Sequence, residues 1–176
     1  MTLTDRLIAP NASRGEVVCG FGAAFLGAAV VFGLGVHAEL ALWRVAVLAV
    51  IAFDLFGGAV VNSTAAAKLW YHRPGRTARH HLGFVAVHIQ PFLLALALPG
   101  FTWLAAATIY AVALLGALIV TISAQPLRRP IAFAATAFGI AITSGLLTVP
   151  HVAAWFAPVL LIKLLLAHLL PEEAAR

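Results

Sequence analysis

The chain has 176 residues, 63% of them hydrophobic and only 10% charged, with a mean hydropathy of +1.04. A soluble domain carries about a quarter charged residues, so this composition excludes water as the main solvent and leaves no room for a sizeable soluble domain. The formal net charge of +5 does not point to nucleic acid, because most basic residues sit in short loops between apolar runs, the pattern of membrane topology.

The expected fold is all-α: a polytopic membrane helix bundle of six transmembrane helices, forming one integral-membrane domain over residues 1–176. A spanning helix needs about 20 apolar residues. Six runs qualify, at approximately 17–36, 40–67, 82–98, 101–124, 131–149 and 152–170. Pro99-Gly100, Gln125-Pro126, Pro150 and Pro171 close four of them, since proline cannot continue a helix without losing a hydrogen bond. The first run contains a lone cysteine, Cys19, so no intramolecular disulfide is available. Gly20, Ala24 and Ala28 form a small-residue stripe suited to close helix packing. The start of the chain also resembles a signal peptide ending at Val36-His37-Ala38, but a run of about 20 residues exceeds the usual h-region, and a retained helix is the expectation.

Orientation follows from Lys and Arg. Arg6 and Arg14 precede the first helix, Lys68, Arg73, Arg76 and Arg79 follow the second, and Arg128 and Arg129 follow the fourth. The other three loops carry none, which predicts an N-in/C-in arrangement, with a bacterial cytoplasmic (inner) membrane as the expected location. Trp43, Trp103 and Trp155 fall near outer helix starts and Trp70 at an inner helix end, where an aromatic belt belongs.

The stretch from Asp54 to Phe92 concentrates the chemistry. It holds the acidic residue set well inside a predicted span, four of the seven histidines and four of the eleven basic residues. Asp54, Gly58 and Asn62, spaced i, i+4, i+8, share one helix face. An intramembrane carboxylate is costly and by default functional. Asn62 and His88 each lie thirteen residues from Gly75. If the second helix stays regular to Lys68, a hairpin about Pro74-Gly75 puts both at one depth, roughly 9 Å inside the boundary, with Asn62 orienting the imidazole. Asp54, Asn62 and His88 are therefore the expected catalytic residues. Pro91 is expected to kink the third helix and free a carbonyl near His88. Lys163 can snorkel to the cytoplasmic side; a pair with Asp54 is an alternative, although the two depths counted along the helices differ by more than a helical turn.

His72, Arg73, Arg76, Arg79, His80 and His81 crowd the second loop. They are the expected substrate-binding residues, suited to anionic lipid headgroups. Neutral histidines suit zinc or iron, but the adjacent arginines disfavour a cation, so phosphate fits better. No cofactor or metal is otherwise indicated: HExxH, P-loop, GxSxG and CxxC motifs are all absent. The functional expectation is a membrane-embedded enzyme acting on a lipid-like or anionic-headgroup substrate at the cytoplasmic leaflet, with His88 as acid or base. Its rivals are a proton- or ion-coupled transporter or channel using Asp54, for which six helices suffice as a homodimer, and a structural or immunity-type partner protein. The bilayer is the expected environment, with no nucleic-acid partner.

Overall fold

The structure, a computed structural model, describes residues 9–171; the two chain ends, which the charge pattern assigns to the cytoplasm, lie outside them. The described residues are helical, without strands. The elements are α1 (Arg14–His37), α2 (Leu42–Ser63), α3 (Ala65–Tyr71), α4 (Ala78–Ala86), α5 (Gln90–Ala97), α6 (Trp103–Ile122), α7 (Gln125–Gly145), a 3₁₀ turn (His151–Ala153) and α8 (Phe156–Leu161), which runs on as a π-helical segment (Ile162–His168). Five segments are long and apolar enough to cross a membrane: Arg14–His37, Leu42–Ser63, Ala78–Ala97, Trp103–Ile122 and His151–His168.

The remaining long helix, α7, differs from the expected run at 131–149. It starts at Gln125 and ends at Gly145. Pro126 reads as a stop in sequence, yet it lies in the first turn of α7, where the missing N–H would be unpaired anyway. The expected fourth loop is thus the start of a helix.

The second expected helix is likewise not continuous to residue 67. It breaks at Thr64, whose extended backbone ends α2 and whose hydroxyl accepts from Ala67 N to cap α3. The Thr64 hydroxyl also donates to Val61 O, and that of Ser63 to Val60 O. Glu16 supports the break from α1. One carboxylate oxygen accepts from Ser13 N in a capping box, and the other accepts from Ala66 N at the start of α3. An anionic group at a helix N-terminus is stabilising.

The third segment breaks at Val87–Ile89, and carbonyls freed there find other donors. Pro91 cannot donate to Val87 O; Ile89 N does so instead, at 2.9 Å. His88 N turns to Val85 O at 3.1 Å. The carbonyls of Phe84 and Ala86, left without helical donors, take His88 Nδ1–H at 2.7 Å and the Tyr110 hydroxyl of α6 at 2.7 Å. Unpaired carbonyls in an apolar surrounding would be costly, so these two side chains hold the break.

Helices α1 and α2 pack most intimately, through Gly20, Ala24 and Gly27; Ala28 of the expected stripe is only half-buried. The core of the bundle includes Leu48, Leu55, Leu94, Ile109, Phe156 and Leu160. Thr121, Thr136 and Thr143 donate back to carbonyls four residues earlier in their own helices.

A Cβ at Gly27 would lie 2.7 Å from Phe56 Cβ, whereas one at Gly33 meets nothing within 4 Å. Gly27→Val should lower the thermal midpoint in detergent by the equivalent of about 1–3 kcal/mol, and Gly33→Val should leave it unchanged. Equal midpoints for the two variants would contradict the close α1–α2 contact.

Candidate functional site

Asp54 and Asn62 of α2, His88 at the α4–α5 break and Lys163 of the π-helical segment line one cavity of about 330 Å³. Phe21, Phe53, Val61 and Phe84 supply apolar wall, and Tyr71 adds a phenol. The lining comes from helix flanks, and Asp54 on it is half-exposed.

Lys163 is buried, and its Nζ contacts Asp54 Oδ2 at 2.8 Å and the Asp54 backbone oxygen at 3.3 Å. The depth expected from sequence separates these two residues; the structure pairs them. The lysine stem spans the difference by passing over Gly58, where a Cβ would sit 2.5 Å from Lys163 Cε. Gln90 Nε2 donates to the same Asp54 oxygen at 3.1 Å. Lys163 and Gln90 are thus members of the site that the sequence reading did not select. The signal for Lys163 was present, as a lone cation well inside an apolar run.

His88 is oriented by the Phe84 carbonyl rather than by Asn62. A carbonyl can only accept, so the proton sits on Nδ1, and Nε2 is left as the ring's acceptor. The Phe84 ring packs on the imidazole with centroids 4.7 Å apart. Asn62 is 4% exposed, and its Nδ2 has no hydrogen-bond partner. Burial holds the Tyr71 phenol above its usual range, with Arg76 acting the opposite way.

The basic loop disperses. None of its six expected binding residues borders this cavity. His72 and His81 turn inward to His168: His72 Nε2 donates to His168 O at 2.9 Å, and His81 Nδ1 lies 3.2 Å from His168 Nε2. Burial keeps the His72 imidazole below its usual pKa, against the opposing pull of its bond to His168. Arg73 lies over the Trp70 ring, 3.6 Å from its centroid, and donates to the Trp70 carbonyl. His80 accepts from Thr77 N and caps α4. Arg76 and Arg79 are exposed. Among the described residues, no cluster of three or more His, Cys, Asp or Glu is arranged to hold a metal ion.

No protein-family model matches the chain, and comparison with curated proteins and with solved structures finds no significant match in either. The class is therefore defined by the molecule itself: an α-helical bundle with helices long and apolar enough to cross a membrane, and a largely apolar cavity that carries Asp54, Asn62, His88 and Lys163.

Removing the carboxylate strands a buried ammonium, whereas removing the ammonium leaves a half-exposed carboxylate. Breaking a buried pair costs about 3–5 kcal/mol, and the exposure of Asp54 puts this pair toward the lower end. Asp54→Asn should therefore lower the thermal midpoint more than Lys163→Met, and the double variant should recover most of the loss. A double variant no more stable than Asp54→Asn alone would show that the pair does not hold Lys163.

Proposed function

We propose that the protein is a membrane-embedded enzyme that admits a lipid-like molecule sideways into the Asp54–Asn62–His88–Lys163 cavity and acts on its polar head with His88 as general base. One observation carries this reading: buried Asn62, whose Nδ2 has no hydrogen-bond partner, lines the same cavity as a histidine whose Nδ1 is occupied and whose Nε2 is the open acceptor. A buried unpaired donor costs about 1–3 kcal/mol, and a ligand oxygen would remove that cost. Donor and acceptor together suit a hydroxyl: its oxygen accepts from Asn62 while its proton passes to His88 Nε2. Histidine is suited to that transfer because its ordinary pKa lies near neutrality. The Asp54–Lys163 pair polarises the site without giving it net charge, and the aromatic wall suits an acyl or isoprenoid chain.

The topology that accompanies this reading has six crossings, α7 being the sixth at a length of about 30 Å, with both termini and the loop around residues 71–81 in the cytoplasm. Its support is the placement of Lys and Arg at the ends of alternate apolar runs. In a bacterial cell, helical spans with that alternation place the protein in the cytoplasmic membrane, since outer-membrane proteins are barrels. In a Cys19→Ala background, Ala78→Cys should resist an impermeant thiol reagent in intact cells and react after permeabilisation. Reaction in intact cells would sink this orientation.

The Asp54–Lys163 pair also favours a second reading, a proton-coupled transporter with Asp54 as the coupling carboxylate. Native mass spectrometry of purified protein separates the two. The enzyme reading expects an amphiphile bound to the wild type, loss of it in Asn62→Leu, and build-up of an unconverted form in His88→Gln. Identical bound species in wild type and His88→Gln would favour transport, and identical species in wild type and Asn62→Leu would remove the cavity from consideration.

A further inference from the structure

A second hollow, of about 520 Å³, lies between α2 and α5, walled by Trp43, Val47 and Val50 on one side and by Leu93 and Ala97 on the other. We infer that it holds the hydrocarbon tail of the amphiphile whose polar head occupies the His88 cavity. The inference rests on the reading of that cavity as a head site, and it adds the path and the length of the tail.

Helical register joins the hollow to the cavity. At about 100° per residue, Trp43, Ala46, Val47, Val50 and Ile51 all fall within roughly 80° of Asp54 around the α2 axis. On α5, Leu93 and Ala97 fall within roughly 60° of Gln90. Asp54 and Gln90 are themselves bonded, at 3.1 Å, so the two stripes meet at one point. Asp54 also lines the His88 cavity, and half of its side chain is exposed. The groove thus starts at the residue that borders the cavity and runs from there toward the Leu42 end of α2.

The junction carries its own signal for a ligand. A carboxylate only accepts, so Gln90 gives Nε2 to Asp54, and Oε1 is the other amide atom. That oxygen is buried and has no hydrogen-bond partner. An unpaired buried acceptor is costly, and a second hydroxyl on the head, next to the one at His88, would supply its donor. Beyond the junction the wall is aliphatic apart from Trp43. Bilayer lipid covers any apolar helix face; this groove differs in ending on an unpaired acceptor and a head site. Eleven residues separate Asp54 from Trp43, a rise of about 16 Å and roughly the extended length of 12 to 14 carbons. At that end the Arg44 guanidinium lies 5.0 Å from the Trp43 ring centroid, so the groove closes on a cation–aromatic pair.

The test is photolabelling of the full chain in nanodiscs with 1-monoacylglycerols that carry a diazirine at one position of the acyl chain; their diol supplies both donors. A diazirine roughly twelve carbons along should label the surroundings of Trp43 and Ala97, and one at mid-chain those of Val50 and Leu93. Excess plain monoacylglycerol should lower both signals by roughly tenfold or more, as competition for one site requires. Asn62→Leu, which removes the donor to the head, should abolish the ordered pattern. V50F/L93F, which fills the middle of the groove, should remove the label at Trp43; should it not fold, the wild-type pattern decides. Labelling spread evenly to other apolar faces, such as those of Phe25 and Leu115, or labelling that excess monoacylglycerol leaves unchanged, would overturn the assignment. So would equal groove labelling in wild type and Asn62→Leu, which would detach the groove from the cavity. Monoacylglycerol retained by wild type and lost in Asn62→Leu, with no label in the groove, would remove the tail path and leave the head site standing.

Discussion

A helix that breaks inside an apolar surrounding must find donors within the chain for every carbonyl it frees. The break at Val87–Ile89 is where this requirement shapes the rest of the molecule. Pro91 removes one donor, and two carbonyls then draw in side chains: Tyr110 from α6 to Ala86 O, and the ring of His88 to Phe84 O. The first bond ties the broken segment to its neighbour. The second fixes the imidazole, decides its tautomer and leaves Nε2 as the open acceptor of a cavity-lining ring. The chemistry proposed for His88 thus arises from backbone accounting in the segment that carries it.

A second constraint meets the first across the cavity. A buried ammonium needs a counter-ion, and Lys163 has one in Asp54. The lysine stem passes close over Gly58, where a Cβ would lie 2.5 Å from Lys163 Cε. The contact links α2 to the π-helical end of the chain, a kind of helical irregularity often found at functional sites. Gln90, two residues beyond His88, bonds to the same carboxylate oxygen, so the broken segment and the ion pair share a partner. Asp54 is held by two elements and still half-exposed, which places its charge at the cavity mouth.

The helical, membrane-like character of the chain was legible because an apolar run of about 20 residues has few other solutions. Element ends were less so. Pro126 reads as a stop in sequence and starts α7 in space, since a first-turn proline satisfies both descriptions. The break at Thr64 was hidden inside a run that is apolar on both sides, although Ser63-Thr64 and the Ser13–Glu16 box were visible signs of it. Equal distance from Gly75 was counted along a second helix regular to Lys68, which breaks at Thr64 instead; Asn62 and His88 line one cavity all the same. The partner of His88 was not readable, because Phe84 O becomes available only once the helix is broken. Depth counting along ideal helices separated Lys163 from Asp54, for it ignores the length of a lysine side chain. In the loop, a cluster of like residues in sequence does not imply a cluster in space: His72 and His81 face His168, Arg73 folds onto Trp70, and His80 caps a helix.

The central claim is that the break at Val87–Ile89 locks one nitrogen of His88 to the backbone and presents the other to the cavity. The most direct measurement is ¹⁵N NMR of the histidine rings in nanodiscs, with His88 assigned by difference against His88→Gln. The account predicts, for the neutral ring, a proton on Nδ1 in a strong hydrogen bond and a bare Nε2 whose resonance moves when an amphiphile fills the cavity. A proton on Nε2 with Nδ1 bare would contradict it.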